Sequence, residues 1–401
     1  MEQKIIQRQI MPEIAKYMDS RQVIVLTGMR RVGKTSVMRH FYKQLQTSNK
    51  VFLDLEDALV RDIFTLKSYE DVARSLEERG IDLTKKASRA YVFLDEVQFS
   101  PNLPSIVKYL YDKYNIKFFL SGSSSYYIKN HFTESLAGRK YIFELYPLTF
   151  REFLDFKEVK KVIPEGEDTL SQLSANKRKV HESAYKELYS QYIRYGGFPE
   201  VVLAARQEEK KKRLHDIINS YFQKDVTTFA DFEDIAKLRD LLKLLTQRVG
   251  QRLNIDVLAN ALKISRKKVY QYLELLKMTY VIDLLAQKSS LDNSVSSAKK
   301  VYFRDTGLAN ILGSIAEGSQ LENSVYMNLV GRHELSYYQT SSGGEIDFVL
   351  NEEVGLEVKN TATKRDVANL KKRANSAGIE EYYVVSNTFT DLDKAIMAWD
   401  L

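Results

Sequence analysis

Cysteine is absent from the 401 residues. That excludes disulfides, cysteine-ligated zinc and thiol catalysis, and it fits a reducing, cytoplasmic setting. Long apolar runs are missing as well. No stretch approaches the roughly 18 residues that a membrane-spanning helix needs, so no membrane partner is expected. The opening residues, Met1-Glu2-Gln3-Lys4, mix charged and apolar side chains at once, and no secretory leader is read there. No long-period repeat recurs along the chain. Charge of one sign is only mildly in excess, with 60 basic and 53 acidic residues giving +7. Such a balance suits an anionic partner without requiring one. Even the run Lys210-Lys211-Lys212-Arg213 follows Glu208-Glu209 in a helical stretch and reads first as a solvated helix face.

What is present is a globular composition, 44% hydrophobic and 28% charged, in a chain long enough for two or three cores. Residues 1–150 alternate helical stretches with short apolar runs at Val23–Thr27, Val51–Leu55, Tyr91–Asp95, Lys117–Ser121 and Tyr141–Leu145. Such runs suit strands of a parallel sheet covered on both faces. Residues 151–234 turn charged and helical, with a sharp break at Gly196-Gly197-Phe198-Pro199. Residues 235–303 carry three sets of apolar residues at helical spacing, then two short strands, Val281–Leu285 and Lys300–Phe303, joined by the polar loop Ser289–Ser297. Residues 320–401 open with another helix and return to alternating strands at Ile346–Leu350, Leu356–Val358 and Tyr382–Val385.

Gly28-Met29-Arg30-Arg31-Val32-Gly33-Lys34-Thr35 follows the first strand and precedes a helix expected over Ser36–Leu45. This spacing is that of a phosphate-cradling loop. Its two glycines let successive N–H groups turn inward, and the helix adds its positive end. Lys34 would neutralise the β- and γ-phosphates of ATP, and Thr35 would offer its hydroxyl to magnesium. The candidate nucleotide-binding residues are Gly28, Arg30, Arg31, Val32, Gly33, Lys34, Thr35, Ser36 and Ser123. The strand Tyr91–Asp95 ends in Asp95-Glu96. Carboxylates at a buried strand end need compensation, and a magnesium–ATP site supplies it. Asp95 would orient the metal's water ligands and Glu96 would polarise the attacking water.

These residues, with Leu120-Ser121-Gly122-Ser123-Ser124, Leu136-Ala137-Gly138-Arg139, Leu145-Tyr146-Pro147-Leu148, Glu152-Phe153, Gly196-Gly197-Phe198-Pro199 and Tyr302-Phe303-Arg304-Asp305-Thr306-Gly307-Leu308, resemble the archaeal-type ATPases of the AAA+ superfamily. The resemblance implies an α/β core with a parallel sheet ordered 5-1-4-3-2, and γ-phosphate sensing by the polar cluster Ser121–Ser124. It makes Arg139 the arginine-finger candidate, in cis or, as relatives usually have it, from a neighbour in a homo-oligomer. The alternative for Arg139 is a surface salt bridge. The expected organisation is an ATPase core over 1–150, a helical connector over 151–234, a winged helix over 235–303 and a small nuclease-like α/β domain over 304–401.

In the winged helix, Ser265 would cap the third helix. Apolar Val269, Tyr272 and Leu273 would leave Arg266, Lys267, Lys268, Tyr270 and Gln271 for a DNA groove. The alternative is a module used only for contacts with a protein partner. Farther on, Glu345-Ile346-Asp347-Phe348 and Glu357-Val358-Lys359 occupy neighbouring strands. Alternation puts Ile346, Phe348 and Leu350 on one face, and Asp347, Glu357 and Lys359 together on the other. This pattern resembles the PD-(D/E)xK nucleases, with Ile346 in place of the usual proline. The resemblance implies a restriction-endonuclease-like fold in which Asp347 and Glu357, joined by Glu322, hold magnesium and Lys359 activates water. The expected function is an ATPase coupled to a DNA-binding C-terminal half, with DNA cleavage by that half left open. The competing expectation is a nucleotide-dependent switch for a protein partner, with an inactive nuclease fold as scaffold.

Overall fold

The computed structural model describes residues 5–66, 68–84, 89–123, 136–159, 169–177, 179–227, 232–288, 297–340 and 343–401. Ser124 and most of the loop 289–297 lie outside the described residues, as does the middle of the polar stretch 157–179. The chain divides into two compact units, Met1–Tyr146 with Met278–Tyr280, and Pro147–Lys277 with Val281–Leu401. The expected connector, three-helix module and C-terminal module thus fall almost wholly within one unit.

The first unit is built on strands β1 (Val23–Thr27), β2 (Lys50–Asp54), β3 (Ala90–Asp95), β4 (Ile116–Gly122) and β5 (Lys140–Glu144), all parallel and ordered β2-β3-β4-β1-β5. This is the 5-1-4-3-2 order, with each strand within one residue of its expected bounds. Every residue of β1 and β4 is buried, as two-sided helix cover requires. On one face Val25, Leu53, Val92, Leu94, Phe118 and Leu120 enter a common core. On the other, Phe93 and Phe119 stack with centroids 4.3 Å apart, and Phe41 from helix α1 (Lys34–Gln44) joins them. Each such side chain withdrawn from water contributes about 1.5–3 kcal/mol before entropy is charged against it. Parallel register brings the ends of β1, β3 and β4 to one edge, the place where open α/β sheets bind ligands.

In the second unit, helices α2 (Phe232–Thr246), α3 (Ile255–Leu262) and α4 (Arg266–Met278) lead into the antiparallel pair β6 (Ile282–Leu285) and β7 (Lys300–Phe303). Asn254 caps α3, accepting from the N–H of Asp256 at 3.0 Å and of Val257 at 3.2 Å. Ser265 accepts from the N–H of Lys268 at 3.2 Å, the cap expected of it. Helix α5 (Glu317–Leu329) precedes a sheet ordered β12-β11-β10-β9-β8. Its strands are β8 (Leu335–Gln339), β9 (Glu345–Leu350), β10 (Val354–Lys359), β11 (Glu381–Ser386) and β12 (Ala395–Met397). Helix α6 (Lys364–Ser376) crosses between β10 and β11 and opens with a capping box of Thr363 and Asp366.

Two of the quoted motifs meet in this unit. Asp305 accepts from the N–H of Gly197 at 2.7 Å and of Leu308 at 2.9 Å. A Cβ on Gly196 would lie 2.2 Å from the Asp305 carboxylate, and one on Gly307 would lie 2.2 Å from the Tyr195 carbonyl. The glycines therefore mark a backbone clasp around one buried carboxylate. Burial pushes the Asp305 carboxyl up to about 7, against the pull of N–H groups from Gly197, Leu308 and Gly307. Asp305→Ala leaves those donors without an acceptor and is expected to cost about 2–4 kcal/mol. Equilibrium urea unfolding reads this, and a loss under 0.5 kcal/mol would show that the clasp is dispensable.

Candidate functional site

The phosphate loop leaves β1 with Gly28 at φ 146°, Arg31 at φ 66° and Gly33 at φ 102°. A Cβ on Gly28 would sit 2.1 Å from the Leu145 carbonyl, so only glycine fits between β1 and the exit of β5. Val32 is buried, and its carbonyl accepts from Arg8 at 2.8 Å. The same guanidinium donates to the Tyr146 carbonyl at 2.8 Å and so pins the loop to the end of β5. Lys34 begins α1, with Thr35 and Ser36 following in its first turn. The Lys34 ammonium reaches back to the carbonyls of Gly28 at 2.9 Å and Met29 at 3.0 Å, closing a ring over the loop. A phosphate is a stronger partner for that ammonium than two neutral carbonyls. Arg30 is buried and Arg31 exposed.

Asp95 ends β3 and is 2% exposed. Its carboxylate accepts from the Ser121 hydroxyl and from the N–H of Glu96 at 3.2 Å. Glu96 adopts φ 54°, a left-handed conformation uncommon for a side chain of its size. Its carboxylate is bound by the Gln98 amide at 2.5 Å, and the same amide nitrogen lies 3.1 Å from the Ser123 hydroxyl. Tyr280, also left-handed at φ 63°, donates its hydroxyl to Thr27 Oγ1 at 3.0 Å at the base of the loop. Arg8, Gln98 and Tyr280 were not among the expected site residues. Only Gln98, two positions beyond Glu96, carried a local signal.

Arg139 takes the alternative read for it, a surface salt bridge. Its carbonyl accepts from the N–H of Val23, the first residue of β1, so it stands at the sheet edge opposite the loop. Its side chain pairs with Asp112 at 3.3 Å, and both partners are half exposed. That place, at the start of a parallel strand whose other end meets the loop, keeps it from acting as a finger in cis.

On α4 the side chains of Arg266, Lys267, Tyr270 and Gln271 are exposed, with Tyr270 54% accessible. Lys268 departs from expectation. Its ammonium lies 2.8 Å from Asp234 on α2, and the Tyr272 hydroxyl joins the same carboxylate at 2.5 Å. It ties the helices together rather than facing a groove. Arg266 pairs with Asp256 at 3.2 Å but stays on the surface. A groove of about 670 Å³ is lined among others by Arg252, Arg266, Lys277 and Lys299 together with the carboxylates Asp256 and Glu274.

The C-terminal carboxylates are arranged differently from the alternation expected. Ile346 pairs with Tyr338 but Val349 pairs with Ser336, so β9 carries an extra residue. The bulge places Ile346 with Val349 in the core under α6, while Phe348 packs on Tyr302 and Tyr326 on the other side. Asp347 accepts from the N–H of Val358 at 2.8 Å. Glu322 accepts from the Tyr302 hydroxyl at 2.6 Å, and a Cβ on Gly250 would lie 2.7 Å from its carboxylate. Burial raises the Asp347 carboxyl, and burial with the nearby Asp347 raises Glu322. Glu357, also buried, is held by Lys359 at 2.9 Å and Arg373 at 3.2 Å.

These residues do not form an open metal site. Lys300, 1% exposed, puts its ammonium 3.7 Å from Glu322 and in contact with Glu345. Burial pulls its pKa down, but the carboxylates of Glu322, Asp347 and Glu345 outweigh burial and leave it raised. Lysine and arginine thus supply the positive charge that a divalent cation would bring. Among the described residues no group of three or more His, Asp or Glu is arranged to hold a metal ion.

The sheet order, the glycine-cradled loop and the Asp95-Glu96 strand end give the first unit the form of a P-loop nucleotide-binding domain. Residues 20–154 match the family described as an AAA domain, while 186–319 and 317–399 match two families described as domains of unknown function. Uncharacterized protein MJ1544 of Methanocaldococcus jannaschii is 27% identical over 390 residues, 92% of this chain and 82% of that protein. An uncharacterized protein of Haemophilus influenzae is 26% identical over 351 residues, 84% of this chain and 81% of that protein. Among solved structures, the Walker-type ATPase paby2304 of Pyrococcus abyssi aligns with a TM-score of 0.49 at 16% identity, over 77% of this chain and 96% of that one. The Orc1 protein of Aeropyrum pernix, solved in complex with DNA, aligns with a TM-score of 0.33 at 14% identity, over 80% of this chain and 94% of that one. No helix among the described residues is long and apolar enough to cross a membrane.

Proposed function

We propose that the chain hydrolyses ATP and that its nucleotide state governs binding of duplex DNA by helix α4. The ATP would lie on the loop Gly28–Thr35, with Lys34 on its terminal phosphates and Glu96 directing the attacking water. Magnesium held near Thr35 and Asp95 would neutralise phosphate charge there. The observation that supports DNA as partner is the exposed row Arg266, Lys267, Tyr270 and Gln271, on a helix capped by Ser265 and set before a β-hairpin. Cations on such a row would hold phosphates, while Gln271 and Arg266 have the donor geometry to read base edges. The C-terminal sheet would then serve as scaffold, because Lys300 and Arg373 already pair in charge with the carboxylates of Glu322 and Glu357. Cleavage at Asp347, Glu357 and Lys359 is not part of the proposal.

Affinity for a duplex is expected to fall steeply with salt, by about 0.9 in logarithmic slope for each phosphate contacted. Lys267→Ala should lower that slope by about 1, whereas Lys268→Ala should leave it unchanged. Titration of a labelled duplex across a salt series measures both. An affinity indifferent to salt would favour the competing reading, a nucleotide-dependent switch with a protein partner.

A further inference from the structure

The hydrogen bonds around Glu96 assign a role to a residue that the ATPase reading does not require. Gln98 lies in the single 3-10 turn Val97–Phe99 that follows the end of β3, and that turn aims its amide back at Glu96. The amide nitrogen has two hydrogens and faces two acceptors, the Glu96 carboxylate at 2.5 Å and the Ser123 hydroxyl at 3.1 Å. The amide cannot be turned over, because its oxygen would then face a carboxylate with no proton between them. The orientation has a cost. The amide oxygen is buried and has no hydrogen-bond partner among the described residues. A buried acceptor left unmade opposes folding by more than a typical formed bond favours it. Such a group in a functional cleft asks for an explanation.

Ser123 supplies one. It follows the C-terminal end of β4, the strand beside β1, at the edge where the phosphate loop begins. Glu96 is meanwhile fixed in the left-handed backbone at φ 54°, so the direction of its carboxylate depends on what holds it. Gln98 touches both groups, Glu96 two positions before it and Ser123 25 positions after it. We infer that Gln98 is a positioning residue that couples the Glu96 carboxylate to the Ser123 hydroxyl, so that Glu96 is aligned for water attack only when Ser123 engages the terminal phosphate of ATP. With no phosphate present, Ser123 and Glu96 share the amide and Glu96 is parked. A phosphate oxygen that draws Ser123 toward itself releases one amide hydrogen, and the glutamine and its carboxylate shift together. The inference rests on the reading of this unit as an ATPase with Glu96 at the reacting water.

Steady-state hydrolysis and fluorescent-ATP binding by the full chain test it, with Gln98→Met as the isosteric variant lacking both donors and Gln98→Glu as one that repels Glu96. Removing an outer partner of this kind typically lowers activity about 10- to 100-fold. Here the loss should fall on kcat, with KM and ATP affinity within about threefold of wild type. Because Gln98 and Ser123 act through one bond, the Gln98→Met, Ser123→Ala double variant should be no slower than the slower single variant. Thermal unfolding run beside the assays checks that both single variants are folded. A kcat for Gln98→Met within twofold of wild type, a loss confined to KM, or fully multiplicative effects in the double variant would overturn the coupling while leaving the ATPase intact. Wild-type protein that binds ATP without hydrolysing it would instead remove the ATPase reading and this inference together.

Discussion

Glu96→Gln is expected to lower ATP turnover by about 100- to 1,000-fold while leaving ATP affinity within a few-fold of wild type. Losses of that size correspond to about 2.7–4 kcal/mol of transition-state stabilisation. The substitution is nearly isosteric and removes only the charge that would draw a proton from water. Affinity should survive because the loop that holds the phosphates is built separately. Gly28 is wedged against Leu145, Arg8 grips Val32 and Tyr146, and Lys34 closes over the loop carbonyls, none of them through Glu96. Lys34→Ala should behave differently and lose binding along with turnover, because the ammonium that faces the phosphates is gone. Paired measurements of fluorescent-ATP affinity and phosphate release separate the two patterns. A Glu96→Gln protein that keeps half of wild-type turnover would take Glu96 out of the chemistry. Its left-handed backbone would then need another reason.

The first unit was almost wholly legible in the sequence, and physical causes explain why. Strands covered on both faces must be continuous apolar runs, so β1, β3 and β4 announced themselves, and the loop's glycines and lysine are fixed by what a phosphate demands. Arg139 pairs with Asp112, the surface salt bridge that was one of its two readings, and its place at the start of parallel β5 was itself legible. Lys268 was misread because helical periodicity places it at the margin of the exposed face, and only the neighbouring helix, with Asp234, decides the matter. In the C-terminal sheet, strict alternation failed at the bulge between Ile346 and Val349, which one sequence cannot announce. The strands β8 and β12 were not found either. Leu335–Gln339 has few buried positions, and Ala395–Met397 is only three residues long. Most telling is Lys300, placed in the sequence as a hairpin residue and found in the structure among the carboxylates of Glu322, Glu345 and Asp347. Its partners lie 22 to 47 positions away by residue number, beyond the reach of any local pattern.

Lys300→Met should therefore be among the most destabilising single changes in the second unit. The methionine fills similar volume, so packing is largely kept, but the buried carboxylates lose their main compensating charge. Breaking a buried ion pair by removing one partner costs about 3–5 kcal/mol. For a unit of this size that corresponds to a drop in Tm on the order of 10 °C. The pH dependence gives the cause away. Burial raises the folded-state pKa of Asp347 and Glu322 above their unfolded values, so the stability each contributes is complete below the ordinary carboxyl range near 4 and is lost as pH climbs through the raised value. Lys300 limits that loss in the wild type by favouring the charged forms. Without it the folded-state values rise further, and the gap in Tm between variant and wild type should widen steadily from about pH 4 towards pH 8. At the acid end the gap should close or reverse, because a protonated cluster leaves the wild-type ammonium buried without a counter-charge. Millimolar manganese should leave the wild-type Tm unchanged, since lysine already holds the position of the cation. A gap that stays constant across pH would show that Lys300 matters only through packing. A manganese-dependent rise in wild-type Tm, lost in Asp347→Ala, would restore the metal site that the ion pairs argue against.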